Sequence, residues 1–219
     1  MPTIEQAKNW YPADDPVHGF DHVLRVYHMA ERLALAEGGD LEIVRAAVLL
    51  HDAQPTAEVL SEELSGPGEL RSNHHLTSAA FAGQVLGGEG WADERIELVQ
   101  HCIRAHRFRD DSEQPQTLEA MILFDADKLD AIGAIGAARA VAYAARAGQP
   151  AYAEPSEQFL ASGTGQPGEA HSAFHEHLFK LRRLKERLYT QSGRALGESR
   201  HRYLEDFFEQ LAAESRGER

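Results

Sequence analysis

Leu41-Glu42-Ile43-Val44-Arg45-Ala46-Ala47-Val48-Leu49-Leu50-His51-Asp52 is an apolar run that closes on an imidazole and a carboxylate. Gly38-Gly39 stops whatever precedes it, and Asp40 is placed to cap a helix over Leu41 to Asp52. A single His-Asp dipeptide is close to what 12 histidines give by chance in 219 residues. Its setting is what carries information. A carboxylate ending an all-apolar helical segment would be stranded in a core, at a cost of several kcal/mol unless a metal or partner compensates it. The pair therefore reads as part of a buried metal site, with His22 about thirty residues before it and Asp127 well after it. Two imidazoles and two carboxylates from separate helices offer a divalent ion mixed nitrogen and oxygen ligands, with positions left for water and substrate.

Outward from this run the pattern stays helical. Phe20 to Glu37 places Val23, Val26, Tyr27, Ala30, Leu33 and Ala34 at helical spacing. Further helices are expected over Asn73 to Leu86, closed by Gly87-Gly88, then Ala92 to His106, Leu118 to about Arg146, Phe174 to Tyr189, and Arg194 to about Glu214. None alternates like a strand. The fold class is all-α, a single-domain bundle of six or more helices over residues 1–219. Gly148 to Ser172, broken by Pro150, Pro155, Pro167 and four glycines, is expected to be a long irregular connection, either a mobile linker or a lid.

The net charge of −13 argues against general affinity for a nucleic-acid duplex or an anionic membrane, both of which need a basic surface. One cysteine, Cys102, excludes an internal disulfide framework. With no long apolar span, the expected address is the cytoplasm.

Helical geometry sorts the remaining candidates. His18, His22 and Arg25 share one face, and His22 is the expected ligand among them. Asp125 and Asp127 lie about 200° apart around a helix, so only one faces a given site; Asp127 is chosen, and Asp125 is expected to be solvated or capping. Asp130 falls near the face of Asp127 as a hydrogen-bond partner. The adjacent His74 and His75 diverge by about 100°, so at most one reaches a common centre. His106 is preferred over His101 as a ligand of a second ion, while His101 is open between ligation and a hydrogen-bonding role. No metal role is expected for His28, His171, His175, His177 or His201. Two divalent ions sharing Asp52 with a bridging hydroxide would leave about one positive charge at the centre of an acidic protein, which favours a phosphoryl substrate. Lys128, Arg25, Arg71, Arg107 and Arg109 lie near these ligands in the chain and are candidates for neutralising phosphate, whereas Lys180 to Lys185 reads as a solvated basic face.

His22, His51-Asp52 and Asp127 in this order resemble the HD-domain superfamily of metal-dependent phosphohydrolases. The segments from His18 to Val26, Ala105-His106-Arg107-Phe108, Pro115 to Ala120 and Asp125 to Gly136 are similar to its YedJ-like branch of small stand-alone bacterial proteins, a likeness covering about His18 to Phe208. The resemblance implies an all-α HD-domain fold and His22, His51, Asp52 and Asp127 as ligands of the first metal. It implies His75, three residues before Ser78-Ala79, and His106 as ligands of a second. The implied function is cleavage of a phosphoester in a small phosphorylated metabolite, most plausibly a nucleotide, with water activated by one or two divalent ions. Mn²⁺ is the first choice, with Fe²⁺, Ni²⁺, Co²⁺, Zn²⁺ or Mg²⁺ compatible. His51 and Asp52 are then catalytic as well as ligating, and Lys128 or Arg25 stabilises charge on the leaving group. The alternatives are an HD-type di-iron oxygenase, which resembles this ligand set, and a non-catalytic nucleotide-binding regulatory module.

Overall fold

A computed structural model describes residues 1–12, 19–53, 74–107 and 113–219. His18, Arg71, Arg109 and the expected helix start at Asn73 lie outside the described residues. Among those described, all regular structure is helical: α1 (Ile4–Lys8), α2 (Phe20–Glu37), α3 (Leu41–Leu50), α4 (His74–Gly88), α5 (Asp93–Ala105), α6 (Leu118–Asp130), α7 (Gly133–Arg146), α8 (Glu157–Ser162), α9 (Ala173–Phe179), a 3-10 stretch over Leu181–Arg187, and α10 (Gln191–Ser215). The all-α expectation holds. The chain forms two compact units, Met1–Asp127 with Tyr189–Gly193, and Lys128–Leu188 with Arg194–Arg219.

In the first unit α3 is the central element, packed by α1, α2, α4 and α5. This explains why its sequence is apolar almost all round: Ile43, Val44 and Ala46 through Leu50 are each at most 1% exposed. Asp40 caps it as expected, its carboxylate accepting the Glu42 and Ile43 amides. α2 ends at Gly38 in the left-handed region (φ 84°), where a residue without a Cβ carries no steric penalty. α1 was not foreseen. Five residues are too few for a periodic signal, although Thr3 and Gln6 do form a capping box.

Three expectations need correction. The single helix expected over Leu118 to Arg146 is two, because the chain turns after Asp130 and restarts at Gly133 with φ +74°. Gly136 permits the turn, since a Cβ there would lie 2.2 Å from the Ala131 carbonyl oxygen. Alanine-rich periodicity runs through both helices and masks the break. Secondly, Asp125 is neither solvated nor capping. Fully buried, it accepts the Tyr189 amide at 2.8 Å, the Thr190 amide at 2.8 Å and the Thr190 hydroxyl at 2.7 Å. Gly193 comes so close that a Cβ would sit 2.3 Å from Asp125 Oδ2. Thirdly, the stretch expected to be irregular contains α8, capped by Ser156 and Gly163. Glu169 organises it by accepting the Ser156 amide and hydroxyl, the Gln166 amide and the His175 ring. Those bonds, the Ser156 amide foremost, pull its carboxyl down to about 2.

In the second unit α9 packs on α7 and on the 3-10 stretch. Asp130 accepts the Arg139 guanidinium at 2.6 Å. His177, 3% exposed, stacks on Phe208 with ring centroids 4.4 Å apart and 13° between planes. Burial first, then the Arg182 charge and His201, push its imidazole down to about 4.

Two outcomes follow from these contacts. Asp125→Ala leaves two backbone amides at residues 189 and 190 without their acceptor and is expected to cost at least about 3 kcal/mol in urea unfolding, with Gly193→Ala also destabilising. Because His177 takes up its proton in the unfolded chain near pH 6.5 but in the folded one only near 4, unfolded protein binds more protons in that window and stability falls as pH drops through it. His177→Gln is expected to remove up to about 3 kcal/mol of that decline between pH 7 and pH 4.

Candidate metal centre

Five side chains of the first unit, His22, His51, His74, His106 and Asp127, gather about Asp52. His22 enters from the first turn of α2 and is 1% exposed. His51 is the C-cap of α3, and Asp52 follows it. His106 occupies the same position on α5, as its C-cap. The parallel has a physical cause. The last carbonyls of a helix lack intrahelical donors, and a histidine at the cap can supply one from its own ring. His51 Nδ1 donates to the Val48 carbonyl at 2.8 Å, and His106 Nδ1 to the Ile103 carbonyl at 2.5 Å. Each bond fixes the tautomer, leaving Nε2 with its lone pair directed at Asp52.

Two donor groups share Asp52. In the first, the donor atoms of His22, His51 and Asp52 lie within 4.8 Å of one another. His51 Nε2 is 3.5 Å from Asp52 Oδ2, and His22 Nε2 is 3.4 Å from Asp127 Oδ1. In the second, Asp52 Oδ1 faces His74 Nε2 at 3.4 Å and His106 Nε2 at 3.5 Å. One carboxylate thus turns an oxygen toward each group.

The donor set fits a divalent cation. Bonds of about 2.0–2.2 Å from a tetrahedral or octahedral ion place neighbouring donors about 3–3.5 Å apart, whereas a shared proton would draw nitrogen and oxygen to about 2.8 Å. The observed separations match the ion. His51 Nε2 and Asp52 Oδ1 are also buried with no hydrogen-bond partner among the described residues, a costly state for polar atoms that a cation relieves. Burial pushes the His51 imidazole down to about 4, with the Asp52 charge pulling the other way. Burial would raise the Asp52 carboxyl, but the facing His51, His106 and His74 rings hold it well below the ordinary carboxylate range. Both groups are therefore in the unprotonated form a metal requires.

The structure brings His22, His51, Asp52, Asp127 and His106 together. His75 is not among them. It is 4% exposed and belongs to neither donor group, while its neighbour His74, the first residue of α4, reaches Asp52. Adjacent helical side chains diverge by about 100°, and the residue at the open helix start is the one that meets the carboxylate. The adjacent pair was the signal available in the sequence, without the helix orientation needed to decide between its members. His101 is structural: Nδ1 donates to Glu113 at 2.6 Å and Nε2 accepts the Gln116 amide at 3.0 Å. Of the expected cations, Arg25 pairs with Asp21 at 2.6 Å one turn back on α2, Arg107 is half-buried after α5, and Lys128, 7% exposed, directly follows Asp127 in α6.

Known proteins share this arrangement of the chain. The chain is 32% identical over 214 residues to the uncharacterised protein YpgQ of Bacillus subtilis, covering 94% of this chain and 91% of that one. The crystal structure of B. subtilis YpgQ in complex with ADP is similar with a TM-score of 0.68 at 28% identity, covering 97% of each chain. That of an HD-superfamily hydrolase from Bacillus thuringiensis is similar with a TM-score of 0.66 at 27% identity, covering 97% of this chain and 94% of that one. The HD domain family matches residues 19–132, a span that holds every ligand proposed above from His22 to Asp127, and this chain belongs to that family.

Proposed function

We propose that the protein is a divalent-metal-dependent phosphohydrolase acting on a small phosphorylated molecule of the nucleotide class. The observation that carries this reading is the Asp52 carboxylate set between two donor groups, with its Oδ1 buried and lacking a hydrogen-bond partner among the described residues. A divalent ion bound there supplies Lewis acidity toward a phosphoryl oxygen and lowers the pKa of water. His22, His51, Asp127 and Asp52 Oδ2 would hold one ion, and Asp52 Oδ1, His74 and His106 a second. The Val48 and Ile103 carbonyls keep His51 and His106 turned toward the site. The low proton affinity of His51 keeps that ring available as a ligand across the neutral range. Arg25, on the helix of His22, and Lys128, beside Asp127, are assigned the charge of the phosphate. A nucleotide as substrate class is supported by the ADP held by YpgQ, and by an acidic chain in which a phosphate must be attracted at the site itself. Mn²⁺ is the first choice of ion, and mixed imidazole and carboxylate ligation also accepts Fe²⁺, Co²⁺, Ni²⁺ or Zn²⁺.

Phosphate release from a nucleotide panel is expected with Mn²⁺, to be lost on chelation and to return when the ion is restored. Asp127→Ala and Asp52→Asn are expected to lower turnover at least about 100-fold while the proteins remain folded by circular dichroism. Full turnover surviving either substitution would overturn the assignment, as would iron-dependent oxygen consumption in place of phosphate release. Metal content separates the adjacent histidines: His74→Ala is expected to reduce the bound ion from two equivalents toward one, and His75→Ala to leave it unchanged.

A further inference from the structure

Tyr11 lies just beyond α1, which packs on α3, and its ring is buried at 8% exposure against Phe20, 5.6 Å between centroids. Its hydroxyl donates to the Leu49 carbonyl at 3.1 Å.

These contacts complete the end of α3. Val48, Leu49 and Leu50 carry its last carbonyls, which need donors from outside the helix if they are buried. Val48 receives the His51 ring, Leu50 receives the Ala53 amide at 3.3 Å, and Leu49 receives Tyr11. The phenol is the one of these partners that comes from a distant part of the chain. By donating to Leu49 it pins the final turn of α3, from which the His51-Asp52 turn leads directly. Movement of that turn would carry both Asp52 oxygens away from the donor groups they face at 3.4–3.5 Å.

We infer that Tyr11 is a positioning residue for the metal centre: its hydroxyl fixes the His51-Asp52 turn so that the Asp52 carboxylate faces both donor groups. This rests on the metal-site reading above. The hydroxyl touches neither ion nor substrate in this role; it acts through the Leu49 carbonyl at the end of α3, as outer partners of metal ligands do. Removing the hydroxyl leaves the buried Leu49 carbonyl without its donor and loosens the turn that carries the carboxylate.

Mn²⁺ and Co²⁺ binding to the metal-free full-length protein tests this, by calorimetry for affinity and by the visible absorption of bound Co²⁺ for ligand geometry. The variants are Tyr11→Phe, which keeps the buried ring, and Ala7→Gly, which weakens α1 and keeps the hydroxyl. Tyr11→Phe is expected to bind Mn²⁺ about 10-fold more weakly and to shift the Co²⁺ absorption at saturating ion. Ala7→Gly is expected to bind as wild type does despite a lower melting temperature. Wild-type affinity and spectrum in Tyr11→Phe would overturn the role of Tyr11 alone, as would an equal loss in Ala7→Gly, which would reduce the effect to stability. A wild-type protein that binds neither ion would overturn the metal centre itself, and this inference with it.

Discussion

The constraint on which the first unit depends is electrostatic. A carboxylate and three imidazoles sit at the ends of apolar helices, where unprotonated donors are expensive to bury and cannot satisfy one another by hydrogen bonding at 3.4–3.5 Å. A shared cation would resolve this. His51 Nε2 and Asp52 Oδ1, buried with no hydrogen-bond partner among the described residues, are the atoms such a cation would compensate.

Helix ends do most of the positioning. His51 and His106 both terminate a helix, and each satisfies an orphan carbonyl three residues back with one ring nitrogen while presenting the other to Asp52. The same carbonyls that must be satisfied for the helix to be buried also set the tautomer the metal needs. His22 and His74 enter from helix starts instead. The site is thus assembled where four helices begin or end, the positions at which side chains can meet without displacing helix-on-helix packing.

Asp127 is held by the same economy of backbone contacts. Two residues earlier on α6, Asp125 receives the amides of Tyr189 and Thr190, and the near approach of Gly193 leaves room for no side chain. The two aspartates lie on opposite faces of one helix. One is directed to His22, and the other binds a segment about 65 residues away in the chain.

Much of this was legible in the residues themselves. Local periodicity and stop signals placed α2 at both ends, because an 18-residue amphipathic helix bounded by glycine carries its own boundaries. The apolar run closing on His51-Asp52 announced a compensated carboxylate, because burial of charge is costly in any fold. Other features depended on contacts between distant segments. Whether His74 or His75 meets Asp52 follows from how α4 is rotated against α3, and adjacent residues give no sign of that rotation. That Asp125 is buried follows from partners at 189 and 190, invisible to any window around α6. The break before Gly133 and the hydroxyl of Tyr11 at the end of α3 are likewise decided by packing. Sequence determines which groups must be compensated, since that cost is local; tertiary structure alone decides which neighbour compensates them.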